Sequence, residues 1–242
     1  MQPEHLRTFQ DAQSAFDAED YRLSATLYQH LLDEGVRLGA VYYNLGNAYA
    51  KSGEPVRAVA AYYFAKRYIP RDPYLNANLR AVLLENGGSL PPVDGSLTDS
   101  IFFWQESVGY STKIWTSLTL TALTFLGGLF CLFLPRKPTT ASPQAKWLKR
   151  CSLVSAMCSA IALVSVGYDW YRFDGVDRAI VTTNAIPRKG NSEQYEPAFV
   201  SPVPFGTQAI ILDERGDWYF LRFLNGQEGW LPHSQTFRLV CS

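Results

Sequence analysis

A chain of 242 residues is long enough for two small domains, and its 22 Lys and Arg balance 22 Asp and Glu to a formal net charge of zero. Up to Thr98 there are 9 basic against 11 acidic residues, which excludes an electrostatic footprint for nucleic acid. Three histidines unpaired at ligand spacing, four cysteines without zinc or disulfide spacing, and no glycine-rich phosphate loop or nucleophile elbow exclude the enzyme and metal classes legible in sequence, so no catalytic residue, metal or cofactor is expected.

Residues 39 to 72 carry one complete tetratricopeptide unit: Tyr42, Leu45, Gly46 and Tyr49 on a first helix, Ala58, Tyr62 and Ala65 on a second, then Pro70. A 34-residue step back finds a degenerate in-phase copy with Ala12, Ala15, Ser24, Tyr28 and Leu31, and a step forward puts Leu79 in the place of Leu45. Residues 1–88 therefore read as two and a half repeats, five helices in all, with stops at Gly35, Gly53 and Gly87-Gly88 and a first-turn proline at Pro55. Such an array cannot bury its apolar faces repeat by repeat, so it stacks and exposes a groove lined by the first helix of each pair. The position before the Leu45 site supplies Gln10, Asn44 and Asn78, three carboxamides one repeat apart, with Tyr43, Asn47 and Tyr74 beside them. Carboxamides both donate and accept, so this column suits the backbone of a neutral extended peptide; the alternative is that Asn44 bonds within its own repeat.

Residues 89–112 change character, with Pro91-Pro92 and Gly95 in a linker and Ile101, Phe102, Phe103 and Trp104 after it. A helix from about Thr98 to Gly109 is expected, either at the membrane surface or docked on the last repeat. From Ile114 to Leu134 there are 21 residues without an ionisable side chain other than Cys131, and Cys151 to Tyr168 adds a second apolar run, so 113–134 and 151–170 read as two membrane spans forming a hairpin. Ala156, Ala160 and Gly167 would let the second pack closely on the first. The connector 135–150 holds Arg136, Lys137, Lys146, Lys149 and Arg150 without an acidic residue, which keeps it cytoplasmic and places both flanking domains outside, in the periplasm of a bacterium with two membranes. The start Met1-Gln2-Pro3-Glu4-His5 carries no basic, apolar leader; either a signal peptide precedes it or the segment crosses as the tail of the first span, and the former is expected.

Beyond a polar juxtamembrane segment, Asp169 to Asp177, residues 176–242 alternate short apolar runs with turn signals. Ala179 to Thr182, Thr207 to Leu212, Trp218 to Phe223 and Glu228 to Leu231 are the expected strands. Gly216-Asp217-Trp218, then Asn225-Gly226 closing onto Gly229-Trp230-Leu231-Pro232, resembles the bacterial SH3-like barrel, and that resemblance implies an aromatic groove for peptides or cell-wall strands with Trp218, Tyr219 and Trp230 as candidates. The expected fold is thus a multidomain membrane protein: an all-α tetratricopeptide solenoid, a two-helix transmembrane hairpin and a small all-β SH3-like barrel.

This order of parts, together with the strings Tyr42-Tyr43-Asn44-Leu45-Gly46-Asn47-Ala48-Tyr49 and Asn76-Ala77-Asn78-Leu79, resembles the BatE proteins of bacterial aerotolerance operons. The resemblance covers nearly the whole chain and implies a non-catalytic scaffold in the inner membrane that works with partners bearing von Willebrand factor A domains. The alternative reading is a cell-envelope anchor whose SH3-like domain binds peptidoglycan or peptide.

Overall fold

The computed structural model describes residues 2–89, 105, 107–133 and 143–239. Five antiparallel helices come first: α1 (Pro3–Asp17), α2 (Tyr21–Asp33), α3 (Gly39–Lys51), α4 (Pro55–Tyr68) and α5 (Pro73–Glu85). Local chemistry sets their ends. The carboxylates of Asp20 and Asp72 accept from the backbone N–H of Leu23 and Leu75, satisfying amides that a helix start leaves orphaned. Prolines open α1, α4 and α5, where no intrahelical donor is needed. Inside, Ala12, Ala48, Ala58, Ala61 and Ala65 let the helices approach, and the tyrosines Tyr28 and Tyr62 fill the remaining space. Gly46 makes room for the second of these, since a Cβ there would stand 2.5 Å from the Tyr62 ring.

Two long helices follow, α6 (Tyr110–Phe133) and α7 (Pro143–Phe173), packed along one another. Both are long and apolar enough to cross a membrane, and only 11% of the most apolar window of each is buried, unlike the core helix of a soluble domain. α7 runs beyond the expected span 151–170 at both ends. Residues 143–150 of the expected connector are its first turns, and Asp169 to Phe173 of the expected juxtamembrane segment are its last, because nothing between Pro143 and Gly175 breaks a helix and charged residues do not end one. The expected helix from Thr98 to Gly109 lies outside the described residues except for Gln105 and 107–109, as do Leu134 of the first expected span and 135–142 of the connector.

The seam between α6 and α7 is polar. The Lys113 ammonium donates to Asp169 Oδ2 at 2.6 Å and to the carbonyl and Oε1 of Gln105 at 2.7 and 2.9 Å, so all three of its protons are used. Deeper along the pair, Thr121 meets Ser159 and Thr124 meets Ser155, each at 2.8 Å between hydroxyl oxygens.

Five strands complete the fold: β1 (Arg178–Val181), β2 (Gln208–Arg215), β3 (Trp218–Phe223), β4 (Glu228–Pro232) and β5 (Thr236–Leu239), antiparallel in the order β4-β3-β2-β1-β5. Only a three-residue 3-10 turn, His233–Gln235, joins the two edge strands, so the sheet must curl to bring its edges near one another. The long β1–β2 connection returns across the free edge of β4, where Arg188 and Trp230 exchange backbone hydrogen bonds of 2.9 and 2.8 Å. β1 is buried on both faces: Ala179 and Val181 belong to the core of the sheet, while Ile180, 0% exposed, joins Phe205 in the core of the helical array. Phe237 and Leu239 of β5 pack against that same core, and the Tyr63 hydroxyl on α4 donates to the Gly206 carbonyl at 3.0 Å. Burial pushes the Tyr63 pKa up to about 12, with a hydrogen bond from Gln208 opposing it.

Candidate binding surfaces

On the array, the expected carboxamides have three different surroundings. Gln10 is exposed on α1. Asn44, half-buried on α3, stands within hydrogen-bonding reach of the Tyr28 hydroxyl on α2, whose pKa is raised by burial and partly lowered by that contact. Asn78 reaches across from α5, donating to the Tyr43 hydroxyl at 3.1 Å and to Asn47 Oδ1 at 2.9 Å, and the same Asn47 oxygen accepts from Tyr62 at 2.8 Å. Burial raises the Tyr62 pKa well above that of a free phenol, so it remains a donor across the physiological range.

The valences of this cluster can be counted. The two protons of Asn78 Nδ2 and both lone pairs of Asn47 Oδ1 are engaged. Among the described residues, that leaves Asn78 Oδ1 as an acceptor, and Asn47 Nδ2 and the Tyr43 hydroxyl proton as donors. One turn before Asn78 on the same helix face, Tyr74 is 72% exposed and extends the surface with a bare aromatic ring. Tyr62 is the member that spacing alone did not supply. It entered the sequence reading only as a repeat position on the second helix, and nothing in its position along the chain showed that its hydroxyl emerges beside Asn47.

Of the three aromatic candidates in the sheet, Trp218 and Trp230 share one face, since Trp230 lies opposite Phe220, and Tyr219 does not. Trp218 lines a cleft of about 230 Å³ together with Ile186, Arg188, Glu193, Pro232 and Gln235. Its neighbour Tyr219 points to the other face, as strand alternation demands, and packs on the His233 ring at 4.0 Å. Trp230, only 7% exposed, stacks on Phe220 at 5.1 Å beneath the Arg215 guanidinium. The cleft's second wall comes from the β1–β2 connection, which reads in sequence as turns and carries no periodic signal.

A third cluster joins the array to the hairpin. The Arg67 guanidinium, on the last turn of α4, donates to both oxygens of Asp174 at 3.1 and 2.6 Å and lies over the rings of Tyr110 and Phe173 at 4.1 and 5.1 Å. Burial opposes its charge, but the hydrogen bonds and field of Asp174 outweigh that and hold its pKa above the ordinary value. The start of α6 and the end of α7 are thereby tied to α4. Gly109 permits the approach, since a Cβ there would collide with the Tyr68 carbonyl. Among the described residues, no group of three His, Cys, Asp or Glu side chains could hold a metal ion. No protein-family model, curated protein or solved structure matches this chain.

Proposed function

We propose that this protein is a membrane-anchored, non-catalytic scaffold that holds an extended, uncharged segment of a partner protein on the array face shared by α3 and α5. The observation that carries the reading is the residual hydrogen-bonding capacity of Asn47, Asn78 and Tyr43: one acceptor beside two donors matches the C=O and N–H of a peptide backbone without reading its side chains. No cation takes part in that cluster, as recognition of an acidic or phosphorylated ligand would require. The tetratricopeptide pattern and the BatE resemblance support the same reading, with von Willebrand factor A domain proteins as the partner class. The basic connector supports an inner-membrane hairpin with both domains in the periplasm. Photo-crosslinking from position 74 in intact cells tests it. A crosslinked partner should be present with the native patch and absent when Asn47→Ala and Asn78→Ala are combined; adducts that survive the double change would end the proposal.

A second reading rests on the Trp218 cleft, whose half-buried indole beside Arg188 and Glu193 suits a peptide or a cell-wall strand. It expects the detergent-solubilised full chain to sediment with peptidoglycan and Trp218→Ala to remain in the supernatant.

A further inference from the structure

The sheet treats its two edges differently. β4 is covered, because the β1–β2 connection bonds to it through Arg188 and Trp230, whereas β5, the opposite edge, pairs among the described residues with β1 alone. The register fixes which backbone groups of β5 point away from β1. The Thr182 N–H donates to the Gln235 carbonyl at 3.0 Å, so Ile180 with Phe237 and Arg178 with Leu239 are the further pairs that exchange hydrogen bonds. The N–H and C=O of Arg238, between them, therefore turn to the other side.

Arg238 also borders a cleft of about 420 Å³, within the roughly 300–1,000 Å³ of clefts that take ligands. Leu32 of α2, Phe64 of α4 and Phe237 and Leu239 of β5 line it, with Tyr42 and Leu45 of α3, nearly buried, at its bottom. Two residues along a helix turn about 200°, so this is the opposite side of α3 from Asn44 and Asn47. Among the described residues that line the cleft, both cations are matched within the chain: Arg57 by Glu54 at 2.9 Å and Arg238 by Asp177 at 2.6 Å. The cleft thus combines apolar walls, a strand edge and balanced charge.

We infer that β5 accepts an extended, uncharged segment of a partner polypeptide as a sixth strand of the sheet, with alternate apolar side chains of that segment set into the cleft between α2 and α4. Backbone pairing with Arg238 supplies affinity, and the cleft selects the side chains. Charge complementarity favours this occupant, since the matched cations at Arg57 and Arg238 leave no excess charge to draw an ionic ligand. A strand also fits better than a helix, whose backbone groups are already bonded to one another and would bury the N–H and C=O of Arg238 without partners. The site is separate from the array face shared by α3 and α5.

The test selects short peptides without charged residues from a random synthetic library on the detergent-solubilised full chain and titrates them by fluorescence anisotropy. Selected peptides should alternate apolar and polar residues. N-methylation of one alternate set of their amides should weaken binding roughly tenfold or more, and of the other set hardly at all, because only one set faces β5. Arg238→Pro removes the outward N–H and none of the hydrogen bonds to β1, so it should lose the peptides; Arg238→Gln, which keeps that N–H, should retain them. If Arg238→Pro does not fold, the N-methyl series on the native chain decides by itself. No selected binder, binding indifferent to N-methylation, or full affinity of folded Arg238→Pro overturns the inference. Loss of the peptides in Asn47→Ala/Asn78→Ala but not in Arg238→Pro also overturns it, leaving the proposed function intact. Native dimers that Arg238→Pro dissolves overturn it too, because the occupant is then a second copy of the chain.

Discussion

The helical array and the hairpin are both built from antiparallel helix pairs, yet they are inside out relative to one another. In the array the seams are Ala, Leu and Tyr, with Asp, Glu, Lys and Arg mostly outside. In the hairpin Lys113, Ser117, Ser159, Ser165 and Asp169 are buried in the seam, while Phe125, Leu126, Phe130 and Val164 face outward. The difference teaches how each helix pair is held. Water drives apolar side chains together, so the array closes on close-packed apolar contacts; α6 and α7, long and apolar enough to cross a membrane, meet instead through hydrogen bonds and an ion pair, the kind of contact that gives specificity in the lipid surroundings we propose for them.

The contrast can be broken most forcefully at Lys113. Lys113→Met leaves the Asp169 carboxylate buried without its partner and should destabilise the hairpin by about 3–5 kcal/mol, whereas Lys113→Met with Asp169→Leu should recover most of that loss. Reversible unfolding of the full chain in micelles measures both; a single change as mild as the double would mean that the pair is not shielded from water. A smaller effect separates the two kinds of packing through their glycines. Gly46→Ala drives a methyl into the Tyr62 ring and should cost about 1–3 kcal/mol. Gly128→Ala on α6 meets nothing within 4 Å and should be silent. Amide hydrogen exchange reads both, with faster exchange across α3 and α4 for the first and no change along α6 for the second. Smallest of all, Thr121→Val removes one hydroxyl pair with Ser159 and should cost only about 0.6 kcal/mol in the same unfolding measurement. A loss several times larger would show that the hydroxyl pairs, and not the ion pair alone, hold the seam.

Much of this architecture is legible in the residues. The 34-residue repeat phase, the glycine stops and the first-turn Pro55 marked the five helices, and the charge-free runs marked both long ones. Trp218 to Phe223 was read as a strand with the same ends that β3 has. The misses have physical causes. β5 is four residues long and only partly buried, so its pattern falls below what alternation can reveal, and it becomes a strand only because β1 offers an unpaired edge. The ends of α7 lie beyond the expected span 151–170 because a count of charges marks where an apolar run stops, not where a helix does. Within the candidate site, the residue types around Asn78 were legible and their partners were not. A carboxamide's fate depends on which helix crosses in front of it, and Asn44 and Asn78, equivalent by phase, meet Tyr28 and Tyr43 respectively.

By itself the sequence determined the inventory and order of parts, because helix stops, apolar run length and strand alternation are encoded over stretches a few residues to a few turns long. Tertiary structure decided how those parts are joined. It turned Ile180 of β1 into the array's core, set Arg67 between Tyr110, Phe173 and Asp174, and closed Lys113 onto Asp169 across 56 residues of chain. Each of those contacts pairs groups far apart along the chain, and only the packing of complete elements determines which distant side chain supplies the missing partner.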